Sequence, residues 1–252
     1  FRDFLRARYG TIDALNQAWG TVFWSQEYRS FSDVQFPYQA ETTVSPAQRL
    51  DSFRFASRST VEHLNRQARI IRAHAPGQFI THNSLGVYPW LNLYDLAREL
   101  DFIGFDSYPN VDDDNFHTCF GHDHHRGVKQ GPYWVMEQKN GYFNYSDYNL
   151  AIEPGLVRLW GWQGFARGAD GVLYYRWRSG PYGVEQNPNG ILNHEGKPRR
   201  AYEEAKRVAE EIQRLPDLAG SPVVSPVGVV FQYDQEWAFN AQHNYPRFGY
   251  TN

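Results

Sequence analysis

The sequence predicts an α/β protein: the C-terminal half of a (β/α)8 TIM barrel followed by the beginning of an α/β second domain. Three observations carry that expectation. Four short apolar runs, at 78–83, 101–109, 133–138 and 171–177, each end in side chains that hydrogen-bond or stack. Amphipathic helical segments separate them, and such alternation predicts parallel βαβ units. The chain opens in helices, where the earlier strands of an eightfold barrel are expected, so four units make half a barrel. A doubly wound open sheet is the structural alternative. It ordinarily carries a G-x-G-x-x-G loop after its first strand, and none is present.

The elements follow in order. Phe1, Phe4, Leu5 and Ala7 stand at near-helical spacing, with Gly10 as a stop. Thr11 caps a second helix that runs to Trp19 and ends at Gly20. Residues 21–38 are irregular and aromatic, with Phe23, Trp24, Tyr28, Phe31, Phe36 and Tyr38. A long aromatic loop is more often a lid or a cleft wall than a core element. Ser45 and Pro46 open a long helix as N-cap and first-turn residue. Its stripe of Leu50, Phe53, Ala56, Val61, Leu64, Ala68 and Ile71 carries it to about His74, and Pro76-Gly77 breaks it.

The first strand, 78–83, is followed by a short helix over 91–100 and the second strand, 101–109. A loop rich in Asp and His, Asp112 to His125, comes next. Behind the Gly131-Pro132 breaker, Tyr133 to Met136 reads as a buried strand that ends at Glu137. A further aromatic loop covers 138–153, and Pro154-Gly155 precedes a helix over 156–167. After the fourth strand, 171–177, a Gly- and Pro-rich loop leads to a charged amphipathic helix over 200–215. The expected organisation is therefore a partial barrel at 1–215, a linker at 216–226 marked by Pro216, Gly220, Pro222 and Pro226, and the start of a second domain at 227–252. That last segment is expected to open on a strand from Val227 to Phe231.

Composition narrows the function. The 252 residues are enough to bury a sizeable core. A formal net charge of −3 makes no electrostatic case for nucleic acid or an anionic membrane. One cysteine, Cys119, excludes an internal disulfide framework and a Cys-rich zinc site. No run approaches the roughly 18 apolar residues of a membrane span. Aromatics are frequent, with 17 Tyr, 17 Phe and 8 Trp, which fits sugar-stacking cleft walls and thick barrel cores equally well. The chain starts at Phe1 inside a helix and shows no signal peptide, and it is expected to be a piece of a longer polypeptide.

Glu137 is the first candidate for chemistry. In a barrel of this kind, residues at the C-terminal strand ends line the active site. A carboxylate that merely follows a core strand into solvent reads the same from this segment alone. Retaining glycoside cleavage needs two carboxyl groups roughly 5–5.5 Å apart, one to attack the anomeric carbon and one to serve as acid and then base. Glu137 is placed for the first role. Arg176 on the next strand is expected to keep it ionised, and Tyr145 and Trp177 to offer stacking faces. His122, Asp123, His124 and His125 are metal-ligand types. Consecutive residues do not all turn to one ion, so a solvated loop and no metal is the reading preferred here.

Several uncommon aromatic motifs recur in a known order and spacing. They begin with Tyr9-Gly10-Thr11-Ile12, Leu15-Asn16-Gln17-Ala18-Trp19-Gly20-Thr21 and Phe23-Trp24-Ser25-Gln26. Asp106-Ser107-Tyr108-Pro109, Trp134-Val135-Met136-Glu137-Gln138 and Arg158-Leu159-Trp160 follow. Gly168 to Leu173, Arg176-Trp177-Arg178 and Glu185-Gln186 close the set. From Phe1 to about Leu215 the chain resembles the family-42 glycoside hydrolases, bacterial β-galactosidases with a barrel and an α/β oligomerisation domain. Residues 222–252 resemble only the start of that second domain. The resemblance implies Glu137 as nucleophile and sugar contacts from Trp24, Tyr108, Tyr175 and Glu185. It also implies a galactoside substrate, a homo-oligomer that in the family is often a trimer, and a cytoplasmic location. It implies no cofactor.

Three departures stand out. The family's acid/base Glu sits in an Asn-Glu pair upstream of this chain, and no residue here matches it. A family Trp is replaced by Tyr145, which stacks with less area. A family His is replaced by Pro188, so one sugar hydrogen bond is lost or moved. The expected activity is hydrolysis of terminal β-D-galactosides by the longer protein, with none from these 252 residues alone. Related glycosidases acting on β-fucosides or α-L-arabinopyranosides are the enzymatic alternative, and a non-catalytic sugar-binding fragment is the other.

Overall fold

The computed structural model describes residues 1–40, 42–111, 115–142, 150–186 and 190–242. In chain order the helices and strands are α1 (Arg2–Tyr9), α2 (Ile12–Trp19), α3 (Pro46–His74), β1 (Thr81–Leu85), α4 (Leu93–Leu96), β2 (Phe102–Ser107), α5 (Phe116–Lys129), β3 (Tyr133–Lys139), α6 (Leu156–Ala166), β4 (Ala169–Tyr175), α7 (Arg200–Ile212) and α8 (Tyr233–Ala241). They form two compact units interleaved along the chain. One comprises Phe1–Ile70, Pro89–Leu96 and Val229–Asn252; the other comprises Ile71–Tyr88 and Ala97–Gly228.

The first unit is helical. Thr11 accepts a hydrogen bond from the Ala14 N–H at 3.2 Å and so starts α2. Gly20, in the left-handed region at φ 65°, ends it, where a β-carbon is unfavourable. Leu5, Leu15, Trp19 and Val34 form the buried core, with Phe1, Phe4, Tyr9 and Tyr28 packed on it. Asp51, fully buried on α3, ties the helices together. It accepts from the Tyr9 hydroxyl at 2.5 Å, the Trp19 indole N–H at 3.0 Å and the Arg54 guanidinium at 3.0 Å. A buried carboxylate survives because its oxygens are this fully ligated. Arg54 also makes a forked pair with Asp234 at the start of α8.

The second unit holds all the strands among the described residues. Its four-stranded sheet runs β1-β2-β3-β4, every pair parallel. Helix α5 connects β2 to β3 and α6 connects β3 to β4, so strand order follows chain order, as in consecutive units of a (β/α)8 barrel. One face of the sheet packs on helices. Phe105 stacks on His125 at 4.5 Å and meets His122 edge-on at 4.8 Å. Gly121 permits this approach, since a β-carbon there would stand 2.8 Å from the Phe105 ring. Val135 and Val172 press in the same way against Gly164 of α6. Beyond α6 lies α7, and Trp160, Val157 and Ala201 form part of the cluster between them. The opposite face carries Phe102 and Trp134, their rings 4.9 Å apart, with Phe79 alongside.

The structure revises several sequence expectations. The Asp- and His-rich stretch read as a loop contains α5, which starts at Phe116. Its buried face is made of Thr118, Gly121, His122, His124 and His125, so histidines occupy positions where an apolar stripe is normally sought. His125 Nδ1 donates to the Gly121 carbonyl at 2.7 Å. In a neutral ring Nε2 is then the acceptor, and Ser84 supplies the hydroxyl at 2.7 Å. Burial depresses His122 to about 3, His124 to about 4 and His125 to about 3, so all three are neutral.

The strand expected at Val227 to Phe231 is not formed: these residues carry no strand assignment, and Val227, Val229 and Val230 are largely exposed. The chain enters α8 instead. The first strand begins at Thr81 rather than Gln78, and the helix expected over 91–100 is a single turn, α4, followed by a 3₁₀ turn at Ala97–Glu99.

Candidate active site

The C-terminal ends of β2, β3 and β4 carry the candidate residues. Strict alternation along β3 would put Glu137 on the helix-packed face with Tyr133 and Val135. A β-bulge prevents this. Between β2 and β3 the register passes from Phe105–Val135 to Asp106–Glu137, and between β3 and β4 from Val135–Val172 to Gln138–Tyr174. Strand β3 therefore holds one residue more than each neighbour at this point. The extra residue turns Glu137 onto the face shared by Gly104, Asp106 and Tyr108. Bulges beside sites re-aim side chains in this way.

On that face Glu137 Oε2 accepts a hydrogen bond from the Tyr108 hydroxyl at 2.6 Å. The Tyr108 phenol is pushed far above its ordinary range, first by burial and then by the bond to Glu137 and the surrounding negative charge, so it acts only as a donor. Asp106, the register partner of Glu137, is buried at 8% exposure. Its Oδ2 accepts from the Asn83 side-chain amide on β1 at 2.6 Å, while its Oδ1 is buried without a partner. Burial, then the charge of Glu137, raises Asp106 to about 6, against the opposing pull of the Asn83 bond.

Tyr175, the last residue of β4, donates its hydroxyl to the Glu185 carboxylate, and that bond more than burial pushes its phenol up to about 12. The negative charge of Glu137 also raises it, which places Tyr175 within electrostatic reach of Glu137. Arg176 bonds the Glu185 carbonyl oxygen at 3.1 Å and lies 3.8 Å from its carboxylate. The direct partner of Arg176 is thus Glu185, which the chain after β4 folds back over Arg176 and Tyr175.

Of the predicted residues, Tyr108, Glu137, Tyr175 and Glu185 are brought to neighbouring strand ends of one unit. Trp24 belongs to the other unit. It sits in a short 3₁₀ turn at Phe23–Ser25 with a left-handed backbone, φ 59°, and its ring is 70% exposed beside Phe23. A bulky residue at positive φ is a strained arrangement, and such strain concentrates at functional positions. Trp177 is largely exposed and meets Tyr202 edge-on. Tyr145 and Pro188 lie outside the described residues. Sequence reasoning missed Asn83 and gave Asp106 no role, although Asp106 heads the Asp106-Ser107-Tyr108-Pro109 motif. The only signal for either was a polar residue near a strand end; their meeting depends on register.

A family model described as beta-galactosidase, glycoside hydrolase family 42, matches residues 1–215. A beta-galactosidase of Thermus thermophilus is 44% identical over 96% of this chain and 40% of its own length. The beta-galactosidase Bga of Halorubrum lacusprofundi is 40% identical over 99% of this chain and 38% of its own. Among solved structures, the beta-galactosidase from the psychrophilic Marinomonas ef1 superimposes with a TM-score of 0.92 at 33% identity, covering 99% of this chain and 42% of that one. The Halorubrum lacusprofundi enzyme does so with a TM-score of 0.92 at 39% identity, over 99% and 40%. The chain spans about 40% of the length of these curated relatives. Matched along most of its length in both sequence and fold, the chain belongs to glycoside hydrolase family 42, the β-galactosidase family.

Proposed function

We propose that this chain supplies the nucleophile side of a retaining β-galactosidase site in the full-length protein. The observation that carries the reading is the β3 bulge, which turns Glu137 onto the same face as Tyr108, with the Tyr108 hydroxyl on Oε2. That bond leaves Oε1 as the oxygen free to attack. In the first step Oε1 bonds to the anomeric carbon of a terminal β-D-galactoside as the bond to the leaving oxygen breaks. A second carboxylic acid, from a Glu outside this chain, gives that oxygen its proton. In the second step the same group takes a proton from water, which displaces Glu137 and restores its carboxylate. Two inversions at one carbon retain the configuration.

Tyr108, Tyr175 and Glu185 are proposed to hold the sugar hydroxyls, and Trp24 and Tyr145 to stack on the ring. Residues 1–215 are the barrel portion on this reading, 216–226 the linker and 227–252 the start of the second domain. No cofactor enters the chemistry, and the full-length protein is proposed to be a homo-oligomer. No helix among the described residues is long and apolar enough to cross a membrane. A cytoplasmic setting is part of the proposal and rests on the family.

The test is to incubate the full-length protein with a slowly turned-over fluorogalactoside and map the covalent label. Label on Glu137 is the expected result; label on any other residue refutes the assignment. Aryl β-galactosides, β-fucosides and α-L-arabinopyranosides compared by kcat/KM identify the preferred sugar. The purified 252 residues are expected to show no turnover, and turnover abolished by Glu137→Gln would overturn that part.

A further inference from the structure

Asp106 and Glu137 are two carboxyl groups at paired register positions of adjacent strands, turned to one face by the bulge. Their surroundings differ. Glu137 is half-buried and is held by a hydroxyl donor, Tyr108. Asp106 is almost wholly buried, receives one amide hydrogen bond from Asn83, and has its other oxygen sealed from solvent with no partner. An ionised carboxylate in that position has an unsatisfied oxygen and a second negative charge beside it. Both cost free energy, and a proton on Asp106 removes both.

We propose that Asp106 is a positioning acid for Glu137: it carries a proton while Glu137 is ionised, so the pair holds one negative charge rather than two. The groups that face it agree. From β3 comes Glu137, from just beyond β2 Tyr108, whose phenol is held in the neutral form, and from β1 the neutral amide of Asn83. Burial and the charge of Glu137 raise the titration of Asp106 to about 6, so the proton is held below about pH 6 and given up above it.

Asp106 acts through Glu137 and not on the sugar. With Asp106 neutral, Glu137 keeps the charge, Tyr108 fixes Oε2, and Oε1 remains available. With Asp106 ionised as well, two like charges would stand at paired register positions of adjacent strands. The role of Oε1 rests on the function proposed above; the proton pair itself does not.

The test is a pH-resolved double-mutant cycle read by thermal unfolding of the full-length protein, with wild type, Asp106→Asn, Glu137→Gln and the double variant at pH 5 and pH 8. Asn keeps an acceptor for Asn83 and replaces the carboxyl O–H by an N–H. Asp106→Asn is expected to melt several degrees above wild type at pH 8, with the gain falling to about half at pH 5, where Asp106 is protonated in the folded protein but still ionised in the unfolded chain. In the Glu137→Gln background the pH 8 gain is expected to shrink. A gain that is absent, equal at the two pH values, or undiminished in the Glu137→Gln background overturns the proposal. If Asp106→Asn does not fold, Glu137→Gln alone decides: its melting temperature relative to wild type must rise between pH 5 and pH 8, and a flat difference refutes the pair. Hydrolysis is not read here, so loss of the functional proposal leaves this result standing.

Discussion

Acidification should unfold the strand-bearing unit through its buried histidines, and His125 is the place to measure it. The ring is fully buried between α5 and the sheet, stacked on Phe105, with Nδ1 donating to Gly121 and Nε2 accepting from Ser84. A second proton destroys the Nε2 acceptor and places a charge in an apolar layer. Burial holds His125 at about 3 in the folded protein, and an exposed histidine titrates near 6.5. The sign follows. Because the folded value is depressed, the unfolded chain binds more protons between these limits, so stability is complete above about pH 6.5 and falls as pH drops toward 3.

At pH 5 the loss is about 2 kcal/mol for His125, from roughly 1.5 pH units at about 1.4 kcal/mol each. His122, in the same environment and also depressed to about 3, adds a similar loss, and the pair approaches 4 kcal/mol against a typical domain stability of about 5–15 kcal/mol. The assay is urea unfolding of wild type and His125→Asn at pH 7.5, 6.5, 5.5 and 5.0. Asn retains a donor for the Gly121 carbonyl and does not titrate. The difference between the two proteins cancels every other group. That includes Asp106, which works in the opposite direction because its folded value is raised. The stability advantage of wild type over His125→Asn should shrink by about 2 kcal/mol between pH 7.5 and 5.0. A difference that stays constant with pH would refute the account of a neutral buried histidine.

Two further perturbations test the packing behind the site. A β-carbon on Gly161 of α6 would lie 2.5 Å from the Tyr174 hydroxyl, so Gly161→Ala should cost about 1–3 kcal/mol and Gly161→Ala with Tyr174→Phe should recover most of it; equal losses in denaturant midpoint for the single and double variants would contradict the clash. Glu204 of α7 accepts from the Gly155 and Arg158 N–H groups at the start of α6 at 3.1 and 3.2 Å, serving as a cap from another helix. Glu204→Ala should lower stability by about 0.5–2 kcal/mol and speed amide exchange in the first turn of α6; exchange unchanged there would reject the capping role.

The alternation of strands and helices was legible in the sequence because its signals are local. Apolar runs of strand length, Gly-Pro breakers and caps such as Thr11 and Ser45 depend on near neighbours, and the parallel β1-β2-β3-β4 sheet follows from them. The resemblance that singled out Glu137, Tyr108, Tyr175 and Glu185 was likewise carried by short motifs. The α5 helix was missed because histidines fill its buried positions, and whether a histidine counts as apolar depends on a proton that only burial removes.

The direction of Glu137 was not legible either. Alternation from Tyr133 and Val135 points it at the helices, and the bulge that reverses it exists only as a mismatch in length between β3 and both of its neighbours. The strand at Val227 to Phe231 failed for the same kind of reason, since a strand needs a partner edge and its residues find none among those described. The sequence alone determined which residues are equipped for the chemistry. The tertiary structure decided which of them meet, because a strand's facing and register are set by pairing with neighbours distant in the chain. Asp106 therefore became part of the site only when β2 and β3 came together.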